Sequence, residues 1–381
     1  MTKKYFNLRN QIVTTAICLT AFFTNNAMAQ PGTYNAGDIA VINSIIANNG
    51  LNWTPANPAD GSYIPDDWYG LEWTSDITNK RIFELYVEGK NLNGTLDVSG
   101  LEKLENLDCL NNQLTAIDVS GLVNLLQILC YENQLTAIDV SGLVNMERLF
   151  CDDNQLTELD LSGLVNLQML NCSDNLLTAL DVSELVNLWS LGCSGNQLTA
   201  LDVSGRVNLQ SLNCSDNLLT ALDVSKLVKL NMLSCNDNQL TELNLTGLTG
   251  LNGSWRFRGS NQSVSLTMEG SGTDYTAAIA LNNPENLAAG ITYDNGILTS
   301  ESNEIENSPF EVQTGNALCK LSGTLHFTYA EETSIPTISI ETGSATVTGY
   351  YDILGKKLPQ APEKGIYIIR YDNGRAAKVA R

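Results

Sequence analysis

Seven cysteines, Cys109, Cys130, Cys151, Cys172, Cys193, Cys214 and Cys235, recur every 21 residues in a chain of 381. Thiols invite three chemistries: disulfide formation, metal ligation and nucleophilic attack. The regular spacing argues against the first two. Equivalent residues on neighbouring parallel strands stand ~4.8 Å apart, whereas a disulfide needs Cβ atoms ~3.8 Å apart with a set torsion. The column therefore reads as small buried hydrophobes filling a narrow core, and Cys319 has no evident partner. The third chemistry lacks a base, because His326 is the single histidine and no nucleophile-elbow motif occurs. No glycine-rich phosphate loop is present either. The chain is expected to have no catalytic residues, no cofactor and no metal, and not to be an enzyme.

Acids form a second column, Asp118, Asp139, Asp160, Asp181, Asp202 and Asp223, closed by Asn244. Like charges ~5 Å apart repel by ~0.8 kcal/mol even in water, so each carboxylate is expected to accept backbone or hydroxyl hydrogen bonds. A calcium ladder is the competing reading, disfavoured because calcium takes six to eight oxygens and each coil offers few.

What positions these columns is a repeat. Leu104–Leu114, LENLDCLNNQL, follows L-x-x-L-x-C-x-x-N-x-L and returns six more times, with Asn112, Asn133, Asn154, Asn175, Asn196, Asn217 and Asn238 as a further column. Exact periodicity of this length means a solenoid of stacked coils. In Gln127–Tyr131 the alternation puts Ile128 and Cys130 inward and Gln127, Leu129 and Tyr131 outward, a strand on the concave face. Leu114–Ser120 alternates likewise, with Ile117 and Val119 inward, and is expected to form a convex strand. The asparagine sits where the chain turns, its amide satisfying backbone groups that the coil would otherwise bury unpaired.

The pattern L-x-x-L-x-C-x-x-N-x-L-T-x-L-D-V-S resembles a leucine-rich repeat of the short, cysteine-bearing bacterial kind, most like the internalin group of surface proteins. That resemblance implies a mainly β fold, a horseshoe-shaped leucine-rich repeat solenoid, and a partner on a host or neighbouring cell. Residues 82–252 carry it, Arg81–Leu101 being an irregular first repeat with Val87 at the cysteine position. Residues 30–81 are expected to be an N-terminal cap, helical from Asp38 to Asn48 by the spacing of Ile39, Ile42, Ile45 and Ile46, with Trp53, Trp68 and Trp73 covering the end of the core. Those tryptophans could alternatively form a sugar-stacking platform. Short alternating runs at 253–333 predict an all-β, sandwich-like spacer.

Residues 334–381 carry Tyr350-Tyr-Asp-Ile-Leu-Gly-Lys-Lys357, Gly365-Ile-Tyr-Ile-Ile-Arg370 and Lys378-Val-Ala-Arg381. In their order they resemble the C-terminal sorting domain of proteins exported by the bacterial type IX system, without its usual Pro-Asn-Pro entry. Residues 1–29 read as a secretory signal: basic Lys3, Lys4 and Arg9, an apolar run Ile12–Phe23, and an Ala27-Met28-Ala29 cleavage site. Cys18 follows Ile17 inside the apolar run, a poor context for a lipid anchor. No later stretch reaches the ~20 apolar residues of a membrane span. Removing the signal takes three cations and no acid from the formal charge of −21, leaving −24, which disfavours nucleic acid.

The expectation is thus a secreted or bacterial cell-surface recognition protein, adhesin or receptor-like, and monomeric, binding a partner protein on its concave face. Carbohydrate or cell-envelope binding and a structural surface-layer role are the alternatives. The candidate contact residues are Leu110, Leu129, Tyr131, Arg148 and Phe150, an apolar and aromatic group with an arginine as at interface hot spots. Beside them the acidic edge Asp152, Asp153, Asp174, Asp216 and Asp237 would favour a basic partner, unless it is ordinary solubilising charge at a turn.

Overall fold

The computed structural model describes residues 33–251, 256–271, 274–279, 281, 284–289, 291–294, 297–300, 305–313, 320–329, 347–351, 356–358, 360, 366–371 and 376–380. The expected signal at 1–29 and the residues Cys18 and Cys319 lie outside them. The chain divides into two compact units, Met1–Tyr329 and Ala330–Arg381.

The first unit is a solenoid. Each coil gives one three-residue strand to a ladder, and successive strands pair in parallel with an unbroken 21-residue register: Asn106–Asp108, Gln127–Leu129, Arg148–Phe150, Met169–Asn171, Ser190–Gly192, Ser211–Asn213 and Met232–Ser234. Ile82–Tyr86 precedes them and Phe257–Arg258 follows, while Leu71–Trp73 pairs antiparallel at the N-terminal edge. The inward residues of these strands and all seven cysteines are buried in one continuous apolar core, the cysteines free and fully inaccessible. Burial pushes every ladder thiol up, Cys172 and Cys214 to about 12, so they behave as packing groups rather than nucleophiles.

The asparagine column is the polar counterpart of that core. Asn154 Nδ2 donates to the carbonyls of Cys130 at 3.0 Å, Cys151 at 3.1 Å and Asp152 at 3.1 Å, and its Oδ1 accepts the Leu135 N–H at 2.9 Å. The same set recurs in the other coils, so one side chain stitches each coil to the one before it. A second asparagine column does likewise on the opposite turn: Asn145 Nδ2 donates to Val123 O at 2.8 Å, and Asn166, Asn187 and Asn208 repeat the contact.

The convex side differs from expectation. Asn93–Asp97 and Gln113–Asp118 pair in parallel, but among the described residues no later coil has a convex strand. Ile117 and Val119 do point inward. Further along, each aspartate bends its chain into a local turn instead, Asp160 Oδ1 accepting the Ser162 N–H at 2.9 Å, and the hydrogen bonds from Ser162 hold that carboxyl below the usual range.

The helix Ala36–Asn49 caps the first coil. Its inner face buries Ile39, Ile42 and Ile45, and Asp38, fully buried, pairs with Arg81 (3.0 Å) and accepts the Ile82 N–H at 2.7 Å. At the other end Asn49 Nδ2 donates to the carbonyls of Asn93 and Thr95, closing an edge that would otherwise face an apolar surface unpaired. Trp53 and Trp68 stack with centroids 6.3 Å apart and are buried, and the Trp68 indole N–H donates to Thr54 O. They are core, not a sugar platform.

At the far end the final coil is three residues longer. Gln262 takes the asparagine's place: Oε1 accepts the Leu240 N–H at 2.9 Å, and Nε2 donates to Cys235 O at 2.9 Å. The same residue opens the strand Gln262–Ser271, which pairs in parallel with Lys320–Tyr329 through Met268 and antiparallel with Asp274–Ala278 beyond it. Ile291–Asp294, Ile297–Ser300 and Asn307–Gln313 complete a six-stranded sheet. His326 lies exposed on it, Nδ1 2.6 Å from Asn307 Oδ1. The second unit is a four-stranded antiparallel sheet of Lys357–Leu358, Val347–Tyr351, Ile366–Tyr371 and Ala376–Ala380.

Candidate protein-binding face

Strand register sets the concave surface in columns one coil apart. Tyr86, Asp108, Leu129, Phe150, Asn171, Gly192, Asn213, Ser234 and Arg258 form one of them. Leu129 and Phe150 are thus direct cross-strand neighbours, both half-buried, and Tyr131 beside them is half-buried too. Arg148 is exposed, and its Nη1 donates to Gln127 Oε1 of the preceding coil at 3.2 Å. These four candidates share one patch.

Leu110 does not belong to the exposed part. It is 7 % exposed although it stays outside the apolar core, its N–H held at 3.3 Å by Asp108 Oδ1. An outward position on a concave strand is crowded by its neighbours, as also shown by Met169 and Ser190, which point outward yet are 5 % and 3 % exposed.

The acidic edge has a backbone explanation. Asn111, Glu132, Asp153, Asp174, Asp216, Asp237 and Asn261 all have φ between 52° and 59°, and the column includes Gly89 and Gly195 at 62° and 64°. Only glycine, asparagine and aspartate enter that left-handed region readily. The residue type is therefore set by the turn, and the acid at Asp153 or Asp174 need not mean a basic partner. The carboxylates still repel one another: partial burial, then the like charges of Asp153 and Asp216, push Asp174 above its ordinary value. Asp152 belongs to the Leu110 and Tyr131 column instead and is half-buried.

Beyond Phe150 the face changes character. Ser173 Oγ donates to Asn171 Oδ1 at 2.8 Å, Asn213 Nδ2 donates to Ser194 Oγ at 3.1 Å, and Ser215, Ser234 and Asn236 close a network at 2.8–2.9 Å. A Cβ at Gly192 would collide with the Asn171 side chain. The later half thus spends its polar groups on itself.

Sequence reasoning missed the continuation toward the N-terminus. Tyr86 is 40 % exposed and hydrogen-bonds Glu84, and Tyr69, 71 % exposed, lies under Lys90 with the ammonium 4.7 Å from its ring centroid. Burial, and secondarily Glu88, raises the Asp108 carboxyl to about 6. Val87 at the cysteine position marked the register that places Tyr86 outward. Among the described residues no three His, Cys, Asp or Glu side chains converge as a metal would require.

Parallel strands at one coil spacing, a buried leucine-cysteine core and an asparagine stitch define the architecture. The fold is a leucine-rich repeat solenoid. Among solved structures, the functional domain of InlJ from Listeria monocytogenes, described as including a cysteine ladder, is 25 % identical over 62 % of this chain and 59 % of that one, with a TM-score of 0.48. YopM from Yersinia enterocolitica is 26 % identical over 37 % of this chain and 30 % of its own, at a TM-score of 0.33. The plant peptide hormone receptor RGFR1, in complex with RGF2, is 22 % identical over 46 % and 32 %, at 0.40. The chain spans less than two thirds of each of these. No family model and no curated protein matches it. Among the described residues no helix is long and apolar enough to cross a membrane.

Proposed function

We propose that the chain is a non-catalytic recognition protein that engages a partner protein through the early coils of its concave face. One observation carries this reading: the outward apolar residues Tyr86, Leu129, Tyr131 and Phe150 stay accessible there, while the later coils bond to themselves or pack shut. Outward side chains fill no core, so an accessible aromatic group beside Arg148 has the composition of an interface centre. The stacked coils hold these groups at fixed spacing, which lowers the ordering cost of binding. Export to the cell surface and an attachment role for 334–381 belong to the same proposal. Supporting them, the motif segments Tyr350-Tyr351, Ile366–Arg370 and Lys378-Val-Ala380 fall on successive paired strands.

The test compares two baits, the native protein and Tyr131→Ala/Phe150→Ala, cross-linked against the same host and bacterial surface extracts. Both should fold identically by circular dichroism. A protein held by the native bait and lost from the double variant supports the reading, and equal retention by both baits refutes it.

A further inference from the structure

The turn that leads each coil back to the concave strand places a leucine in the core: Leu101, Leu122, Leu143, Leu164, Leu185, Leu227 and Leu248, each no more than 1 % exposed. In one coil the residue at this position is Arg206. It is 9 % exposed, its Nη1 donates to Val182 O, and its buried Nε–H has no acceptor. Neutral drift on a surface does not explain a guanidinium put where every sister coil buries an aliphatic chain. Neighbouring coils also depart from the consensus at this turn, with Glu184 and Lys226 replacing glycine and Lys229 replacing asparagine.

Arg206 lines a cavity of about 440 Å³ together with Thr178, Thr199, Asp181 and Asp202. The two carboxylates are held in place by the N–H groups of Ser183 at 2.8 Å and Ser204 at 2.9 Å. Neither aspartate lies at ion-pair distance from Arg206. A simple anion would meet Arg206 but sit beside two negative groups. A simple cation would meet the aspartates and leave the guanidinium unpaired. Only a molecule carrying both charges matches the set.

We propose that this cavity binds a small zwitterion, its carboxylate on Arg206 and its ammonium at Asp181 and Asp202. The site stands apart from the concave face and does not depend on the function proposed for it. Equilibrium dialysis of the full chain tests it with labelled glycine, β-alanine, acetate and methylammonium. Glycine or β-alanine should bind at least ten-fold more tightly than acetate or methylammonium. Arg206→Leu restores the repeat consensus, so it should melt at or above the wild-type temperature and yet lose the zwitterion. Asp181→Asn/Asp202→Asn keeps both turn acceptors and should lose the preference for zwitterion over acetate. The proposal is overturned if neither zwitterion binds, if acetate or methylammonium binds within three-fold of them, or if Arg206→Leu retains binding.

Discussion

Removing one stitch in mid-array measures how the solenoid is held together. Asn154→Ala deletes an acceptor for the Leu135 N–H and donors to the carbonyls of Cys130, Cys151 and Asp152, all of them backbone groups. The Leu135 N–H is left unpaired at a cost of about 1–3 kcal/mol. The three carbonyls keep a second donor each, Asn133 Nδ2, Asn175 Nδ2 and the Glu132 N–H, and lose only about 0.5–1.5 kcal/mol apiece. Water entering the small void recovers part, so the total is about 2–5 kcal/mol. That is a large share of the roughly 5–15 kcal/mol by which a native fold is stable. Urea unfolding followed by circular dichroism reads the loss, with exposed Gln155→Ala as a control that should stay within about 0.5 kcal/mol. Asn154→Asp sharpens the comparison. It keeps the acceptor for Leu135 but turns a carboxylate oxygen toward three carbonyls, so at neutral pH it should be worse than alanine. In acid the protonated carboxyl can donate again, and the order should reverse. A loss below about 1 kcal/mol for Asn154→Ala, with an unchanged urea slope, would refute the view that this column carries coil-to-coil cohesion.

Further outcomes follow from other residues. Glu132 occupies φ 55° in a column otherwise made of Asn, Asp and Gly, so Glu132→Asn should stabilise by about 0.5–1 kcal/mol and raise the melting temperature by a few degrees. The Asp108 carboxyl titrates at about 6 in the fold against an ordinary aspartate value of 3.8. The folded state therefore binds the extra proton, and stability attributable to this group falls as pH rises from about 4 to about 6. Asp108→Asn, which keeps an acceptor for the Leu110 N–H, should accordingly gain on the order of 1–2 kcal/mol at pH 7 and nothing near pH 4, as pH-dependent urea titrations would show. The seven ladder thiols should resist iodoacetamide at pH 8 in the native state and react together on unfolding, which peptide mass spectrometry of the alkylated chain can check.

The solenoid was readable because its period is exact: a residue such as Ile128 or Cys130 needs only its position in the coil to be placed inside. Features set by curvature or backbone angle were not readable from one strand's alternation. Leu110, Met169 and Ser190 point outward yet are covered, because the concave side compresses what a flat strand would expose. The acidic edge looked like a charge pattern, whereas positive φ dictates Asp153 and Asp174. The last coil escaped notice because three extra residues break the period and a glutamine stands for the asparagine at Gln262. Arg206 sat in plain view as a departure from consensus, but only its burial gives that departure meaning.

The uniform joint between coils has an evolutionary consequence. From the coil of Asn175 to that of Asn238 the core asparagine makes every junction with the same atoms, so excising or duplicating 21 residues within that span regenerates that stitch. Unequal crossing-over can then lengthen or shorten the array one notch at a time without inventing new packing. The earlier coils, where Tyr131 and Phe150 lie, and the closing end at Gln262 keep their own contacts throughout. Reach and binding chemistry are therefore separately heritable, and selection can alter one while leaving the other untouched.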